Sequence, residues 1–369
     1  MSGTRPGALL DAAAEELRTV LGGAWAVEVL QRSASAGTVH DAVVRLSPRS
    51  SPDSHADLIL DLFDAVGPKH ILKHTVRFAA ALRAAGGGGT LVIVAPWLSP
   101  RTRELLEVEG ISYLDLTGNI RLSVPVPAVH VRWQGADKAP EHLRSAEHTV
   151  TLAGPRAGRI VRALVDFPPP LRPSAIATLA DVSLPWVSKV LSKLDSQMLV
   201  ERVGREVVRV DWQGLLRERA GTYDLLRHNP AVGFVAPDGP GGVLERVRRV
   251  HGQGLIAITG PWAARRISPL SSGGQLMLYV ECGPHTPDEW ATRLGMVRVD
   301  EGADVLVLRA HDQVVFRETR DVEGVPHVAL PQLVLDSLAG PGRMPADGEA
   351  VLAWMAENEA VWRRGTPTD

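Results

Sequence analysis

Apolar residues recur along this chain with two periods, and the switches between those periods mark out its parts. Leu9, Leu10, Ala13, Leu17, Val20 and Leu21 fall at helical spacing over residues 8–22, and "WAVEVLQR" then alternates as a strand does. "HDAVVRL" and "DLILDLF" read as two more strands, on either side of the turn-rich "SPRSSPDSHA". A basic helix follows over 68–84 and stops at "GGGGT". "LVIVAP" predicts a buried strand, "SPRTRELLEVEG" a short helix entered through Ser99 with Pro100 just inside it, and "ISYLDLTGNIRLSV" a strand pair about Gly118 and Asn119. This alternation predicts a mixed α/β domain over residues 1–145.

The polar, aperiodic stretch "QGADKAPEHLRSAEHTV" predicts a linker near 134–150. Beyond it the pattern turns helical, with "PRAGRIVRALVDF", the loop "PPPLRP", then "SAIATLA" and "DVSLPWVSKVLSKLD". "LVERVGREVVRVDW" then reads as two short strands about Gly204. Three helices and a hairpin are the element order of a winged helix-turn-helix, expected over 150–228. After the Gly/Pro-rich "PDGPGG", strands at "GLIAITG", "QLMLYVE", "DVLVLRA" and "QVVFRE" and a closing helix over about 347–363 predict a second α/β domain, 229–369. The expected fold class is therefore α/β and α+β multidomain, with three domains.

Composition adds little that contradicts this. Hydrophobic residues at 45% and charged residues at 22% fit a globular protein and exclude a largely disordered chain. The first twenty residues carry acidic side chains and no uninterrupted apolar core, so they read as neither signal peptide nor membrane span, and a cytoplasmic location is expected. Cys282 stands alone, which excludes an internal disulfide and a cysteine-rich zinc site. The net charge of -2 hides a local excess: residues 155–212 hold nine Lys and Arg against six Asp and Glu.

That excess includes two of the five lysines of the chain, four apart in "DVSLPWVSKVLSKLD". At about 100° per residue, Leu184, Val187, Val190, Leu191 and Leu194 share one face. Pro185, Ser188, Lys189, Ser192 and Lys193 fall on the other, Ser183 stands at the N-cap, and Trp186 offers an edge. Small hydroxyls and ammonium groups suit a major groove, where serines reach phosphates or bases and lysines neutralise backbone charge. Arg202 and Arg205 flank Gly204, where a wing meets phosphates or the adjacent minor groove. The candidate DNA-binding set is thus Ser183, Pro185, Trp186, Ser188, Lys189, Ser192, Lys193, Arg202 and Arg205. The plain alternative is an amphipathic helix whose charged face is merely solvated.

Three stretches carry a wider likeness: "VAPWLSPRTRELLEVEGISYLDLTGNIRL" at 94–122, "VSLPWVSKVLSKLDSQMLVERVGREVVRVDW" at 182–212 and "LPQLVLDSLAGPGRMPADGEAVLAWM" at 330–355. Together they resemble bacterial winged helix-turn-helix transcriptional regulators related to the AbiEi-type antitoxins of type IV toxin-antitoxin systems. The third stretch resembles that family's pattern of a glutamine, an aspartate-leucine pair and a PGR loop, although Ser337 separates Asp336 from Leu338. The resemblance implies a DNA-binding regulator with an endonuclease-like N-terminal fold and a nucleotidyltransferase-like C-terminal fold.

Catalytic chemistry is harder to find. Endonuclease-like folds hold a metal between an acid on one strand and an acid-x-Lys triplet on the next. Asp41 begins one suitable strand and Asp61 supplies an acid on the next, but Phe63 stands where lysine belongs, and no acid-x-Lys triplet occurs in the chain. Asp115, beside Thr117, Gly118 and Asn119, reads as a turn cap. His70 and His74 have the spacing of metal ligands on one helix face, yet Ile71 replaces the glutamate of HExxH, and Lys69 and Lys73 repel a cation. With Arg77 these residues make a basic stripe able to touch phosphate, or simply a solvated surface.

A nucleotidyltransferase needs a Gly-Ser entry followed by paired aspartates. Here "ITGPWAARR" and "LYVE" leave only Glu281, with Trp262, Arg265 and Arg266 as a candidate anion corner. No P-loop, GxGxxG or GxSxG motif occurs.

The expectation is a non-enzymatic, sequence-specific regulator of transcription that binds double-stranded DNA. It is expected to act as a repressor, with no cofactor, no metal and no membrane. A homodimer and a cognate protein partner stay open. The rival readings are a nucleic-acid-processing enzyme acting through the N-terminal domain and a protein-interaction scaffold.

Overall fold

A computed structural model describes residues 6–32, 41–64, 67–84, 89–143, 150–250, 252, 254–268, 274–281, 286–363 and 365. The chain divides into two compact units, 1–149 with 196–198, and 150–195 with 199–369. Both are mixed α/β. Among the described residues no helix is long and apolar enough to cross a membrane.

The first unit runs α1 (Pro6–Leu21), β1 (Trp25–Arg32), β2 (Ala42–Pro48), β3 (Ala56–Leu62), α2 (Pro68–Ala84), β4 (Thr90–Ala95), α3 (Pro100–Val108), β5 (Ser112–Asp115), β6 (Ile120–Val124) and β7 (Val129–Trp133). Its seven strands lie side by side in sequence order. β3, β4 and β5 pair in parallel and the outer neighbours antiparallel. Parallel neighbours need a crossover, and α2 and α3 supply the two. The sheet buries both faces: Leu9, Leu10, Ala13 and Leu17 of α1 pack with Val44, Leu58, Leu60 and Val92 on one, while Ile71, Phe78 and Leu106 pack with Ile93 and Tyr113 on the other. β4 is accordingly an almost uninterrupted apolar run, as a strand covered on both faces must be.

The stretch expected to start a free linker at 134 is in part tied down. Gly135 N donates to Asn119 Oδ1, Ala136 N to the Thr117 carbonyl, and Arg103 holds both Asn119 and Asp137. The sequence reading also passes over the five-residue strand β7, although "VHVRW" alternates apolar and polar residues and Val129 and Val131 pack on the core. Asp115 is the turn cap that the sequence indicates. Fully buried, it accepts from the backbone amides of Leu98, Thr117 and Asn119 and from the side chains of Thr117 and Asn119.

The second unit opens with α4 (Pro155–Asp166), α5 (Pro173–Ala180), α6 (Leu184–Ser196), β8 (Val200–Val203), β9 (Glu206–Val210), α7 (Trp212–Ala220) and α8 (Leu225–His228). It continues through β10 (Ala231–Val235), α9 (Gly239–Val250), β11 (Ile256–Thr259), α10 (Gly260–Ala264), β12 (Leu276–Val280), α11 (Pro287–Arg293), β13 (Val297–Arg298), β14 (Val305–Arg309), β15 (Arg320–Val322) and β16 (Val325–His327). It closes with α12 (Leu330–Leu338), α13 (Met344–Glu357) and α14 (Glu359–Trp362). A second seven-stranded sheet has the order β13-β10-β14-β12-β11-β16-β15, with a wholly buried β12 at its centre. One hydrophobic core runs from Leu152 to Met355, across the division expected between 228 and 229.

Two readings of this unit change. "QVVFRE" is not a strand: Gln313–Phe316 is a 3-10 turn, because the Asp312 carboxylate accepts from Val314 N and starts a cap where a ladder would need extended backbone. The closing helix breaks at Asn358, whose side chain donates to the Trp354 carbonyl, so that α13 and α14 replace one element. Cys282 lies outside the described residues.

Candidate nucleic-acid interface

The three helices α4, α5 and α6 are followed by a hairpin, and Leu171 bridges to Val207 as a single-residue third strand. α5 and α6 are separated by Asp181, Val182 and Ser183. Asp181 turns the chain with φ 51° and ψ 56°, a left-handed conformation that aspartate tolerates better than most residues. Its amide and that of Val182 cap the end of α5. Ser183 occupies the N-cap of α6, its carbonyl accepting from Trp186 N and Val187 N.

α6 buries Val187, Val190, Leu191 and Leu194 completely, each contributing roughly 1.5–3 kcal/mol of transfer free energy. The centre of that stripe fixes what the remaining residues face. Pro185, Lys189 and Ser192 lie about 150–170° away from it and are exposed. Ser188 is also exposed, on one flank. Leu184, expected on the buried face, is 48% exposed, because it stands at the first helical position some 70° from the stripe, about a quarter turn too far to reach the core.

Trp186 and Lys193, expected on the open face, fall on the opposite flank at about 90–110° from the stripe and are both half-buried. Trp186 packs against the core with its Nε1 buried and unpartnered. Burial lowers the Lys193 ammonium below its ordinary value, with Glu218 opposing the shift. Ser192 Oγ donates to the Ser188 carbonyl at 3.0 Å, leaving its lone pairs open but its proton in use.

The hairpin closes through Gly204 and Arg205, with Gly204 at φ +60° as a two-residue turn with glycine first requires. Arg205 is exposed at the tip, whereas Arg202 is half-buried with its Nε enclosed. Two further exposed arginines lie on or beside this hairpin, Arg209 paired with Glu201 and Arg172 with Glu206.

In the first unit Asp41 and Asp61 come together. Asp41 N donates to the Leu60 carbonyl, its Oδ2 accepts from Leu62 N at 2.8 Å, and its charge acts on Asp61. Burial raises the Asp61 carboxyl above its usual value, while His74, with Nδ1 at 3.1 Å from Asp61 Oδ2, opposes that shift. Phe63 stands edge-on to the His74 ring, where a triplet lysine would be sought. Among the described residues no three metal-ligating side chains converge. Lys69, His70 and Lys73 are exposed on α2, and the Arg77 side chain lies outside the described residues.

A buried constellation was missed in the sequence. Asp336 on α12 is fully buried and accepts from Tyr223 Oη (3.2 Å), Tyr279 Oη (2.9 Å) and Gln332 Nε2 (2.8 Å) on Oδ1, and from Thr259 Oγ1 (2.7 Å) on Oδ2. Desolvation nevertheless pushes its carboxyl up to about 6. The same Gln332 accepts from Arg162 Nη1 of α4 at 3.1 Å, and Arg162 also donates to the carbonyls of Val314 and Arg317 while pairing with Asp166. The only sequence signal was a Gln and an Asp four apart on one helix, which cannot show that donors arrive from three other elements.

The candidate corner at α10 is occupied by its own residues. Arg265 stacks 3.3 Å from the Trp262 ring centre and Arg266 pairs with Glu323. Glu281 accepts from Gln313. Comparison with family models, with curated proteins and with solved structures finds no match.

Proposed function

We propose that residues 155–210 are a winged helix-turn-helix and that the protein is a sequence-specific, double-stranded-DNA-binding regulator of transcription, acting as a repressor. One observation carries the reading. The second helix of a tightly turned pair leaves a strip of Pro185, Ser188, Lys189 and Ser192 free, beside a hairpin tipped by Arg205. A helix about 10–12 Å across enters a major groove about 12 Å wide, and this strip offers it hydroxyls, a point charge and no bulky apolar group. Lys189 then serves phosphate or guanine, Ser188 and Ser192 the base edges, Ser183 the helix entrance, and Arg202 and Arg205 the backbone beside the groove. Lys193 and Trp186 shape the flank of the strip and have the smaller share.

The resemblance to AbiEi-related regulators, with endonuclease-like and nucleotidyltransferase-like folds around the central module, agrees with this reading and is proposed with it. So is a cytoplasmic location. The test is selection of bound duplexes from a random pool, followed by competition between the selected site and a scrambled one. Ser188→Ala should weaken the selected site by about 1–3 kcal/mol and barely change the scrambled one. Arg205→Ala should weaken both alike. A pool that yields no enriched sequence overturns the proposal.

A further inference from the structure

In the second unit a cavity of about 300 Å³ opens among the end of α4, residues 318–320, the start of α12, and α13 and α14. That is the lower end of small-molecule pockets, which span roughly 300–1,000 Å³. Trp354 and Trp362 supply an aromatic wall, Arg320 and Arg363 a cationic one, and Asp166 and Glu318 are its acidic lining residues.

Of the two cationic lining residues, Arg363 has a carboxylate partner and Arg320 has none among the described residues. Asp166 is held by Arg162, Nη2 to Oδ2 at 3.0 Å. Arg363 pairs with Glu359 and donates from Nη2 to the Leu164 and Phe167 carbonyls, closing the end of α4. Its side chain is only 7% exposed, and its Nε is buried with no partner.

Arg320 donates from Nε to the Val328 carbonyl at 3.2 Å, and among the described residues no carboxylate pairs with it. Burial alone pulls its guanidinium down to about 10. A desolvated cation without a counter-ion costs stability, and such groups are otherwise paired.

The start of α12 adds to this. Its N-cap is Ala329, which has no side chain to accept from the first amides, and Ala329 and Leu330 are 4% and 3% exposed. Pro331 brings no N–H and Leu333 N already donates to the Ala329 carbonyl, so what this uncapped start offers an anion is chiefly the partial positive charge of a helix N-terminus.

We propose that this cavity binds a small organic anion, its carboxylate or phosphate held by Arg320 and the start of α12, its aromatic or apolar body lying against Trp354 and Trp362. The DNA-binding reading is not needed for it. Glu318, the other acidic lining residue, sits at a left-handed φ of 59°.

Titration of the full-length protein with benzoate and with phenyl phosphate, followed by tryptophan fluorescence and calorimetry, tests the site, with benzamide as the uncharged counterpart. At least one anion should bind saturably and benzamide should not, and the preferred anion identifies the head group. Arg320→Met should weaken binding about ten- to hundredfold, as loss of a charge-assisted hydrogen bond does, without lowering the melting temperature. Arg320→Lys, which keeps the charge and loses the planar fork, should bind with intermediate affinity. Absence of saturable anion binding at millimolar concentration, equal binding of benzamide, or undiminished binding by Arg320→Met each overturns the proposal.

Discussion

Replacing Asp336 by asparagine isolates the energetic role of the one fully buried carboxyl that four side-chain donors surround. Those hydrogen bonds favour the charged form, and desolvation outweighs them, raising the carboxyl from 3.8 to about 6. A shift of about two units is worth about 3 kcal/mol. The folded state holds the proton more tightly than the unfolded one. The favourable contribution is therefore complete below about pH 4 and is lost as pH climbs through about 6.

Asparagine does not titrate. It turns one acceptor into a donor facing other donors, a fixed cost of about 1–3 kcal/mol at every pH. The stability of the natural protein minus that of Asp336→Asn should thus fall by about 3 kcal/mol between pH 4 and pH 7, the variant recovering ground as pH rises. Urea unfolding at stepped pH, read by hydrogen exchange of the α12 amides so that the second unit alone is followed, measures the difference. A difference that stays flat across the window, or slopes the other way, would refute the dominance of burial over hydrogen bonding at this site.

Three other outcomes are expected. Lys189→Ala should reduce the slope of log K against log salt by about 0.9, and Lys193→Ala by less than half as much, since its ammonium is half-buried near Glu218; equal effects would remove the flank assignment. Arg162→Ala should destabilise the second unit by about 3–5 kcal/mol because it breaks a buried ion pair with Asp166 and removes the donor to Val314, Gln332 and Arg317, and a loss under about 1 kcal/mol in a thermal melt would contradict that. Incubation of plasmid with the protein and Mg²⁺ or Mn²⁺ should leave the DNA intact; cleavage that Asp41→Ala abolishes would put the enzymatic reading first.

The parts of this fold legible in the sequence are those that local rules decide. α6 could be placed from a 3.6-residue period, α3 from a serine followed by proline, and Gly204 from its place between two alternating runs. β13, β15 and β16 have two or three residues each, too few for any period to show, and exist because the sheet of the second unit extends to them. The strip on α6 was read with its edges blurred. Periodicity separates a buried from an open face, but whether a flanking residue such as Lys193 or Trp186 is half-covered depends on neighbours elsewhere in the chain. Asp336 shows the limit most plainly, since its partners Tyr223, Thr259 and Tyr279 are remote in sequence and meet only after folding.

The same long-range polar contacts bear on how α6 is presented. Arg159 of α4 pairs through Nη2 with Asp312 at 2.9 Å and through Nη1 with Asp181, the left-handed residue between α5 and α6, at 3.3 Å. Arg317 donates to the Leu179 carbonyl of α5, and Arg162 reaches the carbonyls of Val314 and Arg317. The segment from 312 to 317 thus holds the C-terminal end of α5, directly and through Arg159, and the middle of α4. Each contact on the Arg162 side is buried or nearly so, where an unmade hydrogen bond costs more than it does at the surface. A free linker would let the three helices rotate against the sheet at little cost; here rotation would break several of these bonds at once. α6 is therefore carried by the compact second unit rather than by a separately tethered module, and on the proposed reading a duplex bound along its open strip would be oriented with respect to that unit.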